Sequence, residues 1–121
     1  MDKPARLMGL ATVAYSVAIL ARPALMARPC GLVDEDGNVT SGVAALIRGV
    51  GVRDAATGAA LAFAPTHGVL RAAGLARVAA DFGDAALLGA FAPDAKTRRN
   101  VIAVAGGWGL LTLATLILAE R

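Results

Sequence analysis

The chain has 121 residues, 57% of them hydrophobic and 17% charged, with 12 Lys and Arg against 9 Asp and Glu for a formal net charge of +3. Its mean hydropathy of +0.64 lies on the membrane side of soluble averages, so a single integral membrane domain is expected, with an Ala-rich soluble helical bundle as the opposing case. The basic residues fall at segment ends and inside apolar runs and not on one exposed face, which argues against nucleic acid; lone Cys30 and lone His67, with no CxxC or HExxH, argue against a disulfide, a metal site and thiol redox chemistry.

The first apolar run covers residues 7–21, follows Lys3 and Arg6, and precedes Arg22, Pro23 and an apolar stub at 24–27. It is expected to form a helix over about 5–27. A basic start and an h-region of this length also fit a signal peptide, but three more hydrophobic segments follow, and a multispanning protein keeps its first helix. Residues 31–41 are the polar loop, with Asp34, Glu35, Asp36, Gly37 and Asn38 as turn formers and Ser41 as the expected N-cap. A second helix is predicted over about 42–64, broken by Pro65, Thr66, His67 and Gly68, and a third over about 69–91. Residues 93–99 read as a short charged loop before a fourth helix over about 100–119. Residues 101–119 hold no charge, which is about the length that crosses a hydrocarbon core of roughly 30 Å.

The sum is an all-α, integral membrane four-helix bundle with up-down-up-down topology, multi-pass in the cell membrane and with the lipid bilayer as its surroundings. With both termini on one face, that face carries Lys3, Arg6, Arg71 and Arg121, and the other Arg22, Arg28, Lys96, Arg98 and Arg99. That imbalance is too small for the positive-inside rule to set an orientation.

Six charges stand inside the two middle segments: Arg48, Arg53 and Asp54, then Arg77, Asp81 and Asp84. Unpaired near a bilayer centre they would cost on the order of 15 to 21 kcal/mol together, so they are expected to pair. Arg77, Asp81 and Asp84 follow an i, i+4, i+7 spacing and share one stripe of the third helix. An antiparallel hairpin about His67 would place Asp54 level with Asp81, Gly58 level with Arg77 and Gly51 level with Asp84. Pairings of Arg53 with Asp81, Asp54 with Arg77 and Arg48 with Asp84 follow, with register able to exchange them. Gly51, Ala55 and Gly58 form a small-residue stripe expected to draw this hairpin tight. Tyr15 and Ser16 fall near the middle of the first helix. Trp108 lies beside Gly106, Gly107 and Gly109 near the middle of the fourth, where its ring either fills volume or faces a cavity.

The run Arg48-Gly49-Val50-Gly51-Val52-Arg53-Asp54, continued by Gly58 and the later Asp81 and Asp84, resembles an RGxGxRD signature of small four-helix bacterial membrane proteins of unknown function, similar in outline to the DoxX-like group. The resemblance covers most of the chain and implies a four-helix membrane bundle. It brings no established chemistry. No residue matches a quinone or haem site, so the redox association of the wider group does not carry over.

Three readings of the charges compete. In the favoured one, the chain is a cofactor-independent membrane enzyme acting by acid-base catalysis on a lipophilic small molecule, as an isomerase, a cyclase or an epoxide-opening hydrolase. Asp81 and Asp84, one turn apart, would transfer the proton and Asp54 would complete the catalytic set. Arg48, Arg53 and Arg77 would tune the charge, with Tyr15 and Trp108 lining the substrate site. The second reading is translocation of protons or a small ion, which demands a homo-oligomer because four helices rarely enclose a site and two gated routes. The third is structural, with the pairs serving only to fix helix packing.

Overall fold

A computed structural model describes residues 2–121. It is all-helical among the described residues, with α1 at Lys3–Ala21, α2 at Ala24–Ala27, α3 at Ser41–Ala62, α4 at His67–Ala90 and α5 at Ala95–Ala119. In place of one helix over 5–27 there are two. Pro23 has no N–H to give to the helix and forces Arg22 out of helical geometry, so α1 ends and α2 restarts as a single turn.

The starts of the other helices are set by side-chain caps. Thr40, and not the expected Ser41, caps α3, its hydroxyl accepting from the Val43 N–H at 3.2 Å. Thr66 does the same for α4 through the Val69 N–H at 3.1 Å, so His67 is the first helical residue and not part of a turn. Asp94 caps α5 by accepting from the Thr97 N–H at 2.7 Å, which holds its carboxyl below the usual range. The charged run 93–99, expected as a loop, is therefore largely the first turn of α5.

The four long helices alternate in direction. Gly9 meets Gly58 and Ala62, while Gly51 meets Ile19 and Leu20, so α3 runs antiparallel to α1. Arg53 reaches Asp84 and Arg77 reaches Asp54, setting α4 antiparallel to α3. Gly74 faces Leu116 and Gly89 faces Ile102, which sets α5 antiparallel to α4. Trp108 then bonds Thr12 and closes the ring between α5 and α1. At one end Gly31, held at φ +70°, lies against the ring of Pro93 and ties the loop after α2 to the α4–α5 turn.

The glycine stripe works elsewhere than expected. A methyl on Gly58 would lie 2.9 Å from the Gly9 carbonyl oxygen, and one on Gly51 would strike Leu20. Gly51 and Gly58 thus serve close approach of α3 to α1 and do not tighten the α3–α4 hairpin.

Two helices, Lys3–Ala21 and Ala95–Ala119, are long and apolar enough to cross a membrane; α3 and α4 carry the charges. Polar groups share the interior with apolar ones, and large apolar side chains lie on the surface. Thr12, Ser16, Asp54, Arg77, Asp81 and Thr112 are buried, while Leu46, Phe63, Phe91 and Val104 are each 70% or more exposed. Two compact apolar clusters complete the interior, one around Leu61, Leu70 and Leu116 and the other around Ile19, Met26 and Ile47.

Candidate functional site

The charges of α3 and α4 form an alternating chain: Asp84, Arg53, Asp54, Arg77, Asp81. Arg53 donates to both oxygens of Asp84, at 3.3 Å through Nη1 and 2.7 Å through Nη2, and to Asp54 Oδ1 at 2.9 Å through Nε. Arg77 donates through Nη1 to Asp54 Oδ1 at 2.7 Å and to the Thr57 hydroxyl at 3.0 Å, and through Nη2 to Asp81 Oδ1. Asp54 is thereby shared by two guanidiniums. Removing Arg77 would strand Asp81, a carboxylate that water barely reaches.

The expected pairs are only partly those observed. Asp54 does meet Arg77, but Arg53 meets Asp84 and Asp54 in place of Asp81, which is held by Arg77 on its own helix. Arg48 is outside the chain altogether. It is exposed, and its Nε donates to the Leu20 carbonyl at 3.3 Å, since α3 turns that face toward the end of α1 and away from α4.

The chain ends unevenly. Asp84 has both oxygens occupied by Arg53, whereas Asp81 Oδ2 and Arg77 Nε are buried with no hydrogen-bond partner. Asp81 and Arg77 are 5% and 2% exposed, and unsatisfied polar atoms so far from solvent call for an explanation. One is adjacent. Asp54, Arg77, Asp81 and Asp84 form one wall of a cavity of about 320 Å³, within the range of roughly 300–1,000 Å³ typical of small-molecule sites.

Its other walls are apolar: Leu25 and Met26 of α2, Val50 of α3, Leu88 of α4, and Val101, Val104 and Ala105 of α5. Tyr15 on α1 and Val104 on α5 line the cavity and are exposed, so it opens sideways between these helices. Trp108 also lines it, and its Nε1 donates to the Thr12 hydroxyl at 3.1 Å across the α1–α5 seam. Asp81 is seated against α5 where Gly109 leaves room for its Cβ.

No family model matches the chain, and neither a curated protein nor a solved structure matches it. The site therefore has to be read from its own geometry. Tyr15, Asp54, Arg77, Asp81, Asp84 and Trp108 are brought together around one cavity; Arg53 stands behind it, and Arg48 is not part of it. Sequence reasoning missed Thr12 and Thr57, which receive Trp108 and Arg77. Thr57 lies three residues after Asp54 on the same helix, a spacing that could have revealed it. Cys30 and Met26 were missed as well, because α2 folds back over the cavity end only once Pro23 has broken the helix. Burial, with the charge of Asp84 adding to it, pushes the Cys30 thiol above its ordinary value, so it stays protonated at neutral pH. Among the described residues, no group of His, Cys, Asp and Glu is arranged to hold a metal.

Proposed function

We propose that the protein is a multi-pass membrane protein whose four long helices cross the bilayer, and that it performs acid-base chemistry on a lipophilic small molecule. Its exposed large apolar side chains and its buried charges support the first part. Apolar side chains as large as Phe91 and Leu46 face outward while charges and hydroxyls face inward, which in water would leave an apolar surface with nothing to cover it. Buried ionisable residues inside such a bundle are functional candidates by default. On this reading the chain would join the small four-helix membrane proteins similar to the DoxX-like group.

The observation that carries the second part is the side-opening apolar cavity ending on carboxylates. A lipophilic molecule would enter between Tyr15 and Val104 without leaving the hydrocarbon. Asp81, with one oxygen free, is the proton-transfer group. Asp84, gripped by Arg53 on both oxygens, is fixed as its charged neighbour, and Asp54 couples the two arginines. Protonation at one carbon or oxygen and removal from another yields isomerisation, cyclisation or epoxide opening with no change of redox state. Transport is less well supported, because the cavity runs from mid-depth at Thr12 and Trp108 only toward the α2 end.

The test uses D2O. The protein in lipid nanodiscs is incubated with a membrane lipid extract, and components are followed by mass spectrometry. The expected result is deuterium entering one lipophilic component with wild-type protein and not with Asp81→Asn. No exchange and no change in any component would count against the enzyme reading.

A further inference from the structure

The alternating chain has three carboxylates and only two guanidiniums, because Arg48 lies outside it. The sequence suggested a neutral set of three and three; the folded cluster carries one negative charge in excess. That excess has a place. Asp84 accepts from Arg53 on both oxygens and Asp54 takes both guanidiniums on Oδ1, whereas Asp81 Oδ2, at the other end of the chain, is buried without a partner on a residue 5% exposed that lines the cavity.

An uncompensated negative charge enclosed by Leu25, Val50, Leu88 and Val104 meets no counter-ion among the described residues. The ionisable groups that share the cavity with Asp81 are Asp54 of α3, Arg77 and Asp84 of its own helix, Tyr15 of α1 and Cys30 after α2, with Arg53 of α3 behind Asp54 and Asp84. The stretch of α5 on the cavity supplies Asn100, Val101, Val104, Ala105 and Trp108, none of them ionisable. Among the described residues, no further cation lines the cavity. The free Nε of Arg77 belongs to a guanidinium whose charge is already matched, so it calls for a neutral acceptor such as water or a ligand hydroxyl and not for an anion.

We propose that the cavity between α1 and α5 selects lipophilic molecules carrying one positively charged nitrogen, held with that nitrogen against Asp81. This rests on reading the cavity as a site for a lipophilic molecule and names its class, a lipophilic amine. Electroneutrality supplies the second half of the mechanism. Without a ligand the excess charge is balanced by one proton within the cluster, and an incoming ammonium displaces that proton to solvent. No bond other than the O–H bond is broken, and the net charge of the site is the same before and after. The same device fits acid chemistry, since a neutral amine entering from lipid takes the proton from the cluster and becomes the cation that is retained.

Three ten-carbon probes separate charge from lipophilicity: decylamine, decanol and decanoate, titrated into the protein in zwitterionic nanodiscs. Trp108, the only tryptophan of the chain, lines the cavity and reports occupancy by its fluorescence. Saturable binding of decylamine at least tenfold tighter than of either other probe is expected. Calorimetry in two buffers of different ionisation enthalpy should count close to one proton released per decylammonium bound. Asp81→Asn should weaken decylamine tenfold or more and leave decanol unchanged, and the decanol value shows that the variant's cavity is intact. Should that variant not fold, the proton count on wild-type protein decides. Equal binding of decylamine and decanol, tighter binding of decanoate, or no proton release would overturn the proposal while leaving a lipophilic site in place. No saturable binding of any probe would overturn both.

Discussion

The two seams that flank α1 are built from opposite materials. Toward α3, Gly9 and Gly58 bring the backbones into contact, with Gly51 receiving Leu20 further along. Toward α5, the large Trp108 reaches Thr12 across a gap, and beside it a cavity of about 320 Å³ stays open. One seam is closed by shape and the other is backed by charge. The lesson is that in this fold small residues mark where helices meet, whereas the ionised chain behind the open seam marks where something else is meant to fit.

Substitutions should therefore act differently on the two sides. The largest effect is expected from Arg77→Leu, which strips Asp54 and Asp81 of a shared partner behind the open seam. Breaking a buried pair in this way costs about 3–5 kcal/mol, and chemical unfolding in detergent should show it. Gly58→Leu attacks the closed seam by shape alone. Overpacking of that kind costs roughly 1–3 kcal/mol, so a clear fall in thermal midpoint is expected, with a change in Trp108 fluorescence beside it, because the added side chain also strikes Thr12, the partner of Trp108.

Cys30 sharpens the contrast kinetically. Its raised thiol lowers the thiolate fraction at neutral pH, so alkylation at pH 7 should run slower than that of a free cysteine and climb as the solution becomes alkaline. Because Cys30 lines the cavity, a bound lipophile should slow it further. The smallest effect belongs to Arg48→Ala. Since Arg48 is exposed and takes no part in the charge chain, stability should move by no more than about 0.5 kcal/mol, measured by the same unfolding assay. A loss as large as that of Arg77→Leu would return Arg48 to the cluster and remove its excess negative charge.

How far the sequence could be read depended on the reach of each signal. The stripe of Arg77, Asp81 and Asp84 was legible because helical spacing is local, and the Asp54–Arg77 pair followed from an antiparallel turn at residues 65–68. The choice of partner helix was not legible. Gly51 and Gly58 announce a close approach, but nothing local tells whether α1 or α4 makes it, and here α1 does. The exclusion of Arg48 has the same origin, since a charge in an apolar run pairs only if the rotation of its helix aims it inward. The break at Pro23 could have been read from proline chemistry alone, and it is this break that lets α2 cover the end of the cavity.

The most direct test of the account is an experimental structure of the protein in lipid nanodiscs, resolved well enough to show non-protein density between α1 and α5. The account predicts four helices embedded in lipid and an elongated molecule in the side opening, with one polar atom within hydrogen-bonding distance of Asp81 Oδ2. A closed α1–α5 seam, with Asp81 Oδ2 taken up by Arg77 Nε and no cavity beside Trp108, would contradict it and leave the charges as a device for packing helices.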